Sequence, residues 1–125
     1  MSRFRMALIG LASAAGLLIP ASVAHAAGSS LWGCPSGAVC IYADAKSSHL
    51  TGAYITNTYW SYGPHNLVNE FNNHWVVNNQ TGGNNATAVL CDGYNGTNCT
   101  GIVDYPGVAI GPNLTPINSI VLNRP

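Results

Sequence analysis

The stretch Cys34-Pro35-Ser36-Gly37-Ala38-Val39-Cys40-Ile41-Tyr42 reads as a cysteine-closed turn running straight into a strand. Pro35 and Gly37 are turn residues that bring the ends of a short segment together. Working outward, the strand part recurs. Cys40-Ile41-Tyr42 matches Val89-Leu90-Cys91 at an offset of 49, and the same offset aligns Thr51-Gly52 with Thr100-Gly101. Slightly different offsets set Asn66-Leu67 against Asn113-Leu114 and Val76-Val77-Asn78 against Val121-Leu122-Asn123. Each half therefore reads as strand, irregular hairpin, Thr-Gly strand, loop with Asn-Leu, and closing strand. Four strands per half, twice, is the pattern of two Greek keys packed into one sandwich.

The rest of the chain supports an all-β reading. Val, Ile, Tyr and Thr cluster in short runs separated by Gly, Pro and Asn. The runs are Ala38–Tyr42, Ala53–Thr56, Trp75–Asn78, Ala86–Cys91, Gly101–Tyr105, Val108–Ile110 and Ser119–Asn123. Asn66–Val77 is the longest uninterrupted helix candidate, but its four asparagines favour turns over helix interiors. It reads as a loop entering a strand.

The first residues have a different character. Arg3 and Arg5 precede an uncharged apolar run, Met6–Ile19, followed by Pro20 and the small-residue triplet Ala24-His25-Ala26. This is the three-part pattern of a secretory signal peptide with cleavage after Ala26. The run is 14 residues long, short of the roughly 20 that a spanning helix needs. Residues 1–26 are thus expected to be a leader and residues 27–125 a single secreted, extracellular domain.

That domain carries Lys46 and Arg124 against Asp44, Glu70, Asp92 and Asp104, a net charge of −2 with His neutral. Two cations cannot form the basic patch that phosphate binding needs, so nucleic acid is excluded as a partner. No second apolar stretch is long enough to cross a membrane, and no GxxxxGK[ST] or GxGxxG string is present. Low charge does not imply disorder here. Trp32, Trp60, Trp75, six tyrosines and 14 asparagines in the 99-residue domain suit a folded, loop-rich β-protein. A domain of that size buries only about 60–65% of its unfolded surface, so covalent staples matter.

The four cysteines, all in that domain, allow three pairings. The turn residues within each close pair, including Asn95-Gly96 in the second, favour Cys34–Cys40 and Cys91–Cys99. Loops this short contribute roughly 2–3 kcal/mol each in the loop-entropy model. Neither pair has CxxC spacing or a neighbouring His, which argues against zinc. Nor does an enzyme emerge. His49, His65 and His74 are scattered in loop-like sequence and read as surface residues, no GxSxG or HExxH string accompanies them, and paired-carboxylate hydrolysis would draw on only four acids. Asn-x-Ser/Thr strings at Asn79, Asn85, Asn95, Asn98 and Asn113 are glycan acceptors only in a eukaryotic secretory pathway. The leader looks bacterial, so they read as products of an Asn- and Thr-rich composition.

The CPxGxxC element followed by Ile41-Tyr42 resembles secreted bacterial βγ-crystallin-like domains. So do Asn66-Leu67 followed by Phe71-Asn72-Asn73 and Val76-Val77-Asn78-Asn79, and the closing Leu114 with Asn118-Ser119-Ile120-Val121. The nearest group is peptidase inhibitor family I thirty-six, small secreted metalloproteinase inhibitors with a leader and two sequential disulfides. The resemblance covers residues 31–124. It implies a βγ-crystallin-like sandwich of two Greek keys, a monomer, and a secreted protease as partner.

In that family the reactive bond follows the first cysteine of the second disulfide. The matching bond here is Cys91–Asp92, in a loop with Gly93 and Tyr94. A disulfide-closed loop has little entropy left to lose in a protease cleft, so such a protein inhibits without chemistry of its own. The sequence departs from the pattern at Asp92. Thermolysin-type enzymes favour a large apolar residue there, and placing a carboxylate in an apolar pocket costs several kcal/mol. Either the target differs, or Tyr94 is the anchor, or this member does not inhibit. The family's calcium motif, (N/D)(N/D)xx(S/T)S, is also incomplete. Asn72-Asn73 opens it in the first half, but Val76-Val77 replaces its end. Leu114–Ser119 keeps the end and lacks the opening. No cofactor is expected, and Asn72, Asn73 and Ser119 are the residual calcium candidates. A non-inhibitory structural or calcium-binding module and an antimicrobial, killer-toxin-like protein are the alternative readings.

Overall fold

Alternation within one strand sets the architecture. Along Val39–Tyr42 (β1), Val39 and Ile41 join one hydrophobic cluster while Cys40 and Tyr42 join another. That is the two-residue period of a strand. All four residues are buried, so β1 is covered on both faces and must be central. The computed structural model describes residues 28–125. The expected leader, residues 1–26, lies outside the described residues.

Seven further strands follow: β2 (Ile55–Tyr59), β3 (Gly63–Asn66), β4 (Val76–Asn78), β5 (Ala88–Cys91), β6 (Cys99–Asp104), β7 (Val108–Ile110) and β8 (Ser119–Leu122). Among the described residues there is no α-helix, only single 3₁₀ turns at Ser47–His49, Gly52–Tyr54 and Tyr94–Gly96. The strands form two four-stranded antiparallel sheets, β2-β1-β4-β7 and β3-β8-β5-β6. Each half of the chain supplies four strands, and each gives its third strand, β3 or β7, to the other half's sheet.

Between the sheets lies one core. Val39, Ile41 and Val76 come from the first sheet; Ala88, Leu90, Ile120 and Leu122 come from the second. Leu67, Leu114 and Ile117 enter from loops. Burying each such aliphatic side chain contributes about 1.5–3 kcal/mol. The outer face of β1 is covered separately, by Cys34, Ala38 and Val77 with Leu31, Leu50 and Trp75. Here Trp32 and Gly33 turn the chain at positive φ (48° and 85°). A Cβ on Gly33 would overlap the Gly52 backbone, so only glycine lets this turn rest there. Tyr42 spans the packing and donates its hydroxyl to Trp32 O at 2.8 Å; burial pushes its phenol above the ordinary value of 10.0.

Both cysteine pairs are bonded in sequence, Cys34–Cys40 and Cys91–Cys99. Two disulfides fit an oxidising, extracellular environment, and among the described residues no helix is long and apolar enough to cross a membrane.

The repeat needs two corrections. Thr51-Gly52 precedes β2 at a 3₁₀ turn, whereas Thr100-Gly101 lies inside β6; local backbone geometry, not sequence likeness, separates them. In the closing strands Cys40 pairs with Val77 and Val89 with Val121. Through the β1–β5 match, Val76 is therefore equivalent to Ile120, one residue from the sequence alignment. That register sends Val76 and Ile120 into the shared core, since a one-residue slip would reverse every side chain. The Asn-Leu match fares differently. Leu67 N donates to Asn118 O and Leu114 N donates to Asn72 O, both at 2.9 Å, so each leucine is pinned to the opposite half in the same way.

Candidate functional site

The Cys91–Cys99 loop is the turn between β5 and β6. Cys91 and Cys99 face each other across the pair, and the register shifts between Val89 and Cys91. Inside the loop, Asp92 N donates to Asn98 O at 2.8 Å and Gly93 N to Thr97 O at 3.0 Å. Thr97 Oγ1 donates to Tyr94 O at 2.7 Å. Asn95 and Gly96 take left-handed φ of 56° and 73°, which Asn and Gly tolerate best.

The loop is also held from outside. Asn118 Nδ2 donates to Asp92 O at 2.6 Å, and Ser119 Oγ donates to Gly93 O at 2.6 Å while accepting from Gly96 N at 3.0 Å. Across the loop, Asn95 N donates to Asn66 Oδ1 at 2.7 Å, and Asn66 Nδ2 returns a bond to Asn95 Oδ1 at 3.1 Å. The ends of β3 and β8 thus clamp the turn. Tyr94 stands out from it with 58% of its surface exposed.

The Cys91–Asp92 peptide group is fully engaged. Its carbonyl accepts from Asn118 N at 3.0 Å, and its N–H is the donor to Asn98 O. Cys91 itself is buried, whereas Asp92 is exposed and enters no ion pair among the described residues.

The calcium candidates have separate surroundings. Asn72, at φ 68°, accepts from Leu114 N through its carbonyl and donates its N–H to Thr115 Oγ1 at 2.8 Å. Asn73 Nδ2 donates to Gly111 O at 2.8 Å. Ser119 Oγ is committed on both sides to the Cys91–Cys99 loop. Among the described residues no group of three or more His, Cys, Asp and Glu side chains is arranged to hold a metal ion.

The histidines divide. His49 Nδ1 lies 2.9 and 2.8 Å from the two Asp44 oxygens, and its ring stacks on Tyr54 at 3.8 Å. The Lys46 backbone N–H, with His49 and Lys46 charge, holds the Asp44 carboxyl below its ordinary value despite some desolvation. His65 Nε2 lies 2.7 Å from Ser61 O. His74 is not a surface residue as expected but buried, because its ring is needed inside. Nδ1 lies 2.7 Å from Tyr42 O and Nε2 2.7 Å from Phe71 O. Glu70 Oε2 also faces Nδ1, at 3.4 Å.

Sequence reasoning found the loop but not its clamps. Asn66, Asn118 and Ser119 belonged to motifs already singled out, yet nothing local tells that three separate segments converge on one turn. Beside Tyr94 it also missed a cleft of about 500 Å³, between Asn66–Phe71 and Thr115–Asn118.

No protein-family model, curated protein or solved structure matches the chain.

Proposed function

We propose that the protein is a secreted βγ-crystallin-like domain of two Greek keys that inhibits an extracellular protease, in the first place a metalloproteinase. The exchange of β3 and β7 between the halves supports the double-key reading, and the two disulfides support secretion. The protein acts by binding as a monomer, without a cofactor and without chemistry of its own.

The observation that carries this reading is the externally clamped Cys91–Cys99 loop with Tyr94 exposed at its tip. Such a loop has already lost the freedom that association would cost it, and tyrosine is a favoured interface anchor. Tyr94, rather than the Cys91–Asp92 bond, is the group that enters the target's cleft. A substrate-like attack on that bond would first have to free its carbonyl from Asn118 N. Asp92 then lies at the rim, where its charge stays hydrated.

Titration of the protein into a thermolysin-like metalloproteinase tests this. Stoichiometric inhibition, weakened at least tenfold by Tyr94→Ala and little changed by Asp92→Val, is the expected result. Inhibition gained only on Asp92→Val would return the Cys91–Asp92 bond to the pocket. No inhibition of metallo-, serine or cysteine proteases by any form would end the inhibitor reading.

A further inference from the structure

The cleft beside Tyr94 has a chemistry of its own. Its floor is Leu67 and Ile117, both buried in the inter-sheet core. Phe71 and Tyr94, each 58% exposed, and Val68, 75% exposed, line it. A volume of about 500 Å³ falls within the range of small-ligand sites.

The cleft is built rather than incidental. Asn69 and Asn72 hold left-handed φ of 54° and 68°, which fixes the segment carrying Val68 and Phe71. Leu67 N is tied to Asn118 O, Asn72 is tied to Leu114 and Thr115, and Phe71 O is held by the His74 ring. A ligand arriving there meets preorganised walls.

Charge and hydrogen-bonding capacity select the ligand class. No Lys, Arg or His lines the cleft, so phosphate, sulfate and carboxylate groups would find no cationic partner. A wholly apolar ligand would strip water from the exposed Asn69 amide, whose side chain makes no hydrogen bond among the described residues; each lost bond costs about 1–3 kcal/mol. Glu70, with its side chain only 11% exposed and 3.4 Å from His74 Nδ1, offers a cationic ligand little free surface. What fits is a neutral molecule that both donates and accepts hydrogen bonds along its edges and carries C–H groups on its faces. Hydroxyls satisfy the Asn69 amide and the Thr115 hydroxyl. Slightly positive C–H groups suit the negative faces of Phe71 and Tyr94.

We infer that this cleft, walled by Phe71 and Tyr94 and edged by Asn69 and Thr115, binds a neutral carbohydrate chain. This goes beyond the inhibitor reading and does not depend on it. Phe71 stacks on a sugar ring, and Asn69 and Thr115 bond its hydroxyls.

The test is a titration of the disulfide-intact protein with chitotetraose, laminaritetraose and xylotetraose, followed by proton NMR. Phe71 is the only phenylalanine after Phe4, so its ring signals in the 27–125 chain are unambiguous. At least one sugar is expected to shift them saturably. Phe71→Ala should weaken that binding tenfold or more and Asn69→Gly, which tolerates the left-handed φ of 54°, several-fold, with melting temperatures held. Three results would overturn the inference. One is no saturation by any of the three sugars up to about 10 mM, an affinity too weak to count as a site. Another is saturable binding unaffected by Phe71→Ala. The third is protease inhibition lost in Phe71→Ala with no sugar bound by the parent, which would make the cleft part of the protease-binding face. Failure of the inhibitor reading alone would leave the sugar titration unchanged.

Discussion

Asp104 ends β6 with 1% of its surface exposed and neither carboxyl oxygen hydrogen-bonded. Burial pushes its pKa from 3.8 to about 8; the Asn78 backbone N–H, outside hydrogen-bonding geometry, works weakly against it. The acid is therefore neutral in the folded protein where it would be ionised in the unfolded chain. Folding takes up a proton between these values, so this group's contribution is complete below pH 3.8 and is lost as pH rises through about 8. In that window stability falls by about 1.4 kcal/mol per pH unit from this group. Asp104→Asn removes the linkage. Melting curves at pH 5 and pH 8 should show the variant losing less stability than the parent over the interval; parallel losses would remove Asp104 as the cause. Its neighbour Asn78 is the polar stitch of the same region. Asn78 Nδ2 donates to Ala86 O and Asp104 O at 2.8 and 2.9 Å, and its Oδ1 accepts from Gln80 N at 3.0 Å. Asn78→Ala leaves the buried Gln80 N without its partner and takes one bond from Asp104 O and one from Ala86 O, which keeps Gln80 Nε2 at 3.0 Å, so urea unfolding should show a loss of about 2 kcal/mol or more.

Among the elements, the clamped loop makes the sharpest claim. Ser119 sits in the first position of β8, and its hydroxyl serves two groups of the Cys91–Cys99 turn. Ser119→Ala should destabilise the protein by about 1–2 kcal/mol and speed hydrogen exchange at the Gly96 amide more than at Gly93 or Asp92, whose bonds lie within the loop. Uniform acceleration across the loop would mean that the disulfide and its internal bonds do not hold it without Ser119. The sequence made the loop itself legible, because Asn95-Gly96 between close cysteines is a strong turn signal. It made most strands legible for a similar reason: runs such as Ala38–Tyr42 and Val108–Ile110 are rich in residues that fit a pleated surface. Gly63-Pro64-His65-Asn66 carried no such signal, yet it forms β3. It succeeds as a strand because it lies at the edge of its sheet, where a proline need not donate to a neighbour. The burial of His74 is illegible for the complementary reason. Nothing next to it in sequence reveals that Tyr42 O and Phe71 O converge on its ring. The cleft walls, from segments 66–71, 94 and 115–118, were illegible in the same way.

At the scale of the whole molecule, the exchange of third strands has a thermodynamic consequence. β3 hydrogen-bonds only to β8, and β7 only to β4 among the named strands. Remove the second half and β3 loses its sheet, while β4 loses its outer neighbour and the core loses Ala88, Leu90, Ile120 and Leu122. What remains, β1, β2 and β4, would expose one face of a three-stranded sheet to water. Small chains are already marginal in the area they bury, and the Cys34–Cys40 bridge closes too short a loop to offset that loss. The halves should therefore unfold together. Calorimetry of the disulfide-intact protein should give a single transition whose calorimetric and van't Hoff enthalpies agree. A fragment ending in the Gly82-Gly83 segment should show no dispersed NMR spectrum alone, and should gain one on mixing with the fragment that follows. Two resolved transitions, or an independently folded first fragment, would mean that each half completes its own core, against the strand exchange.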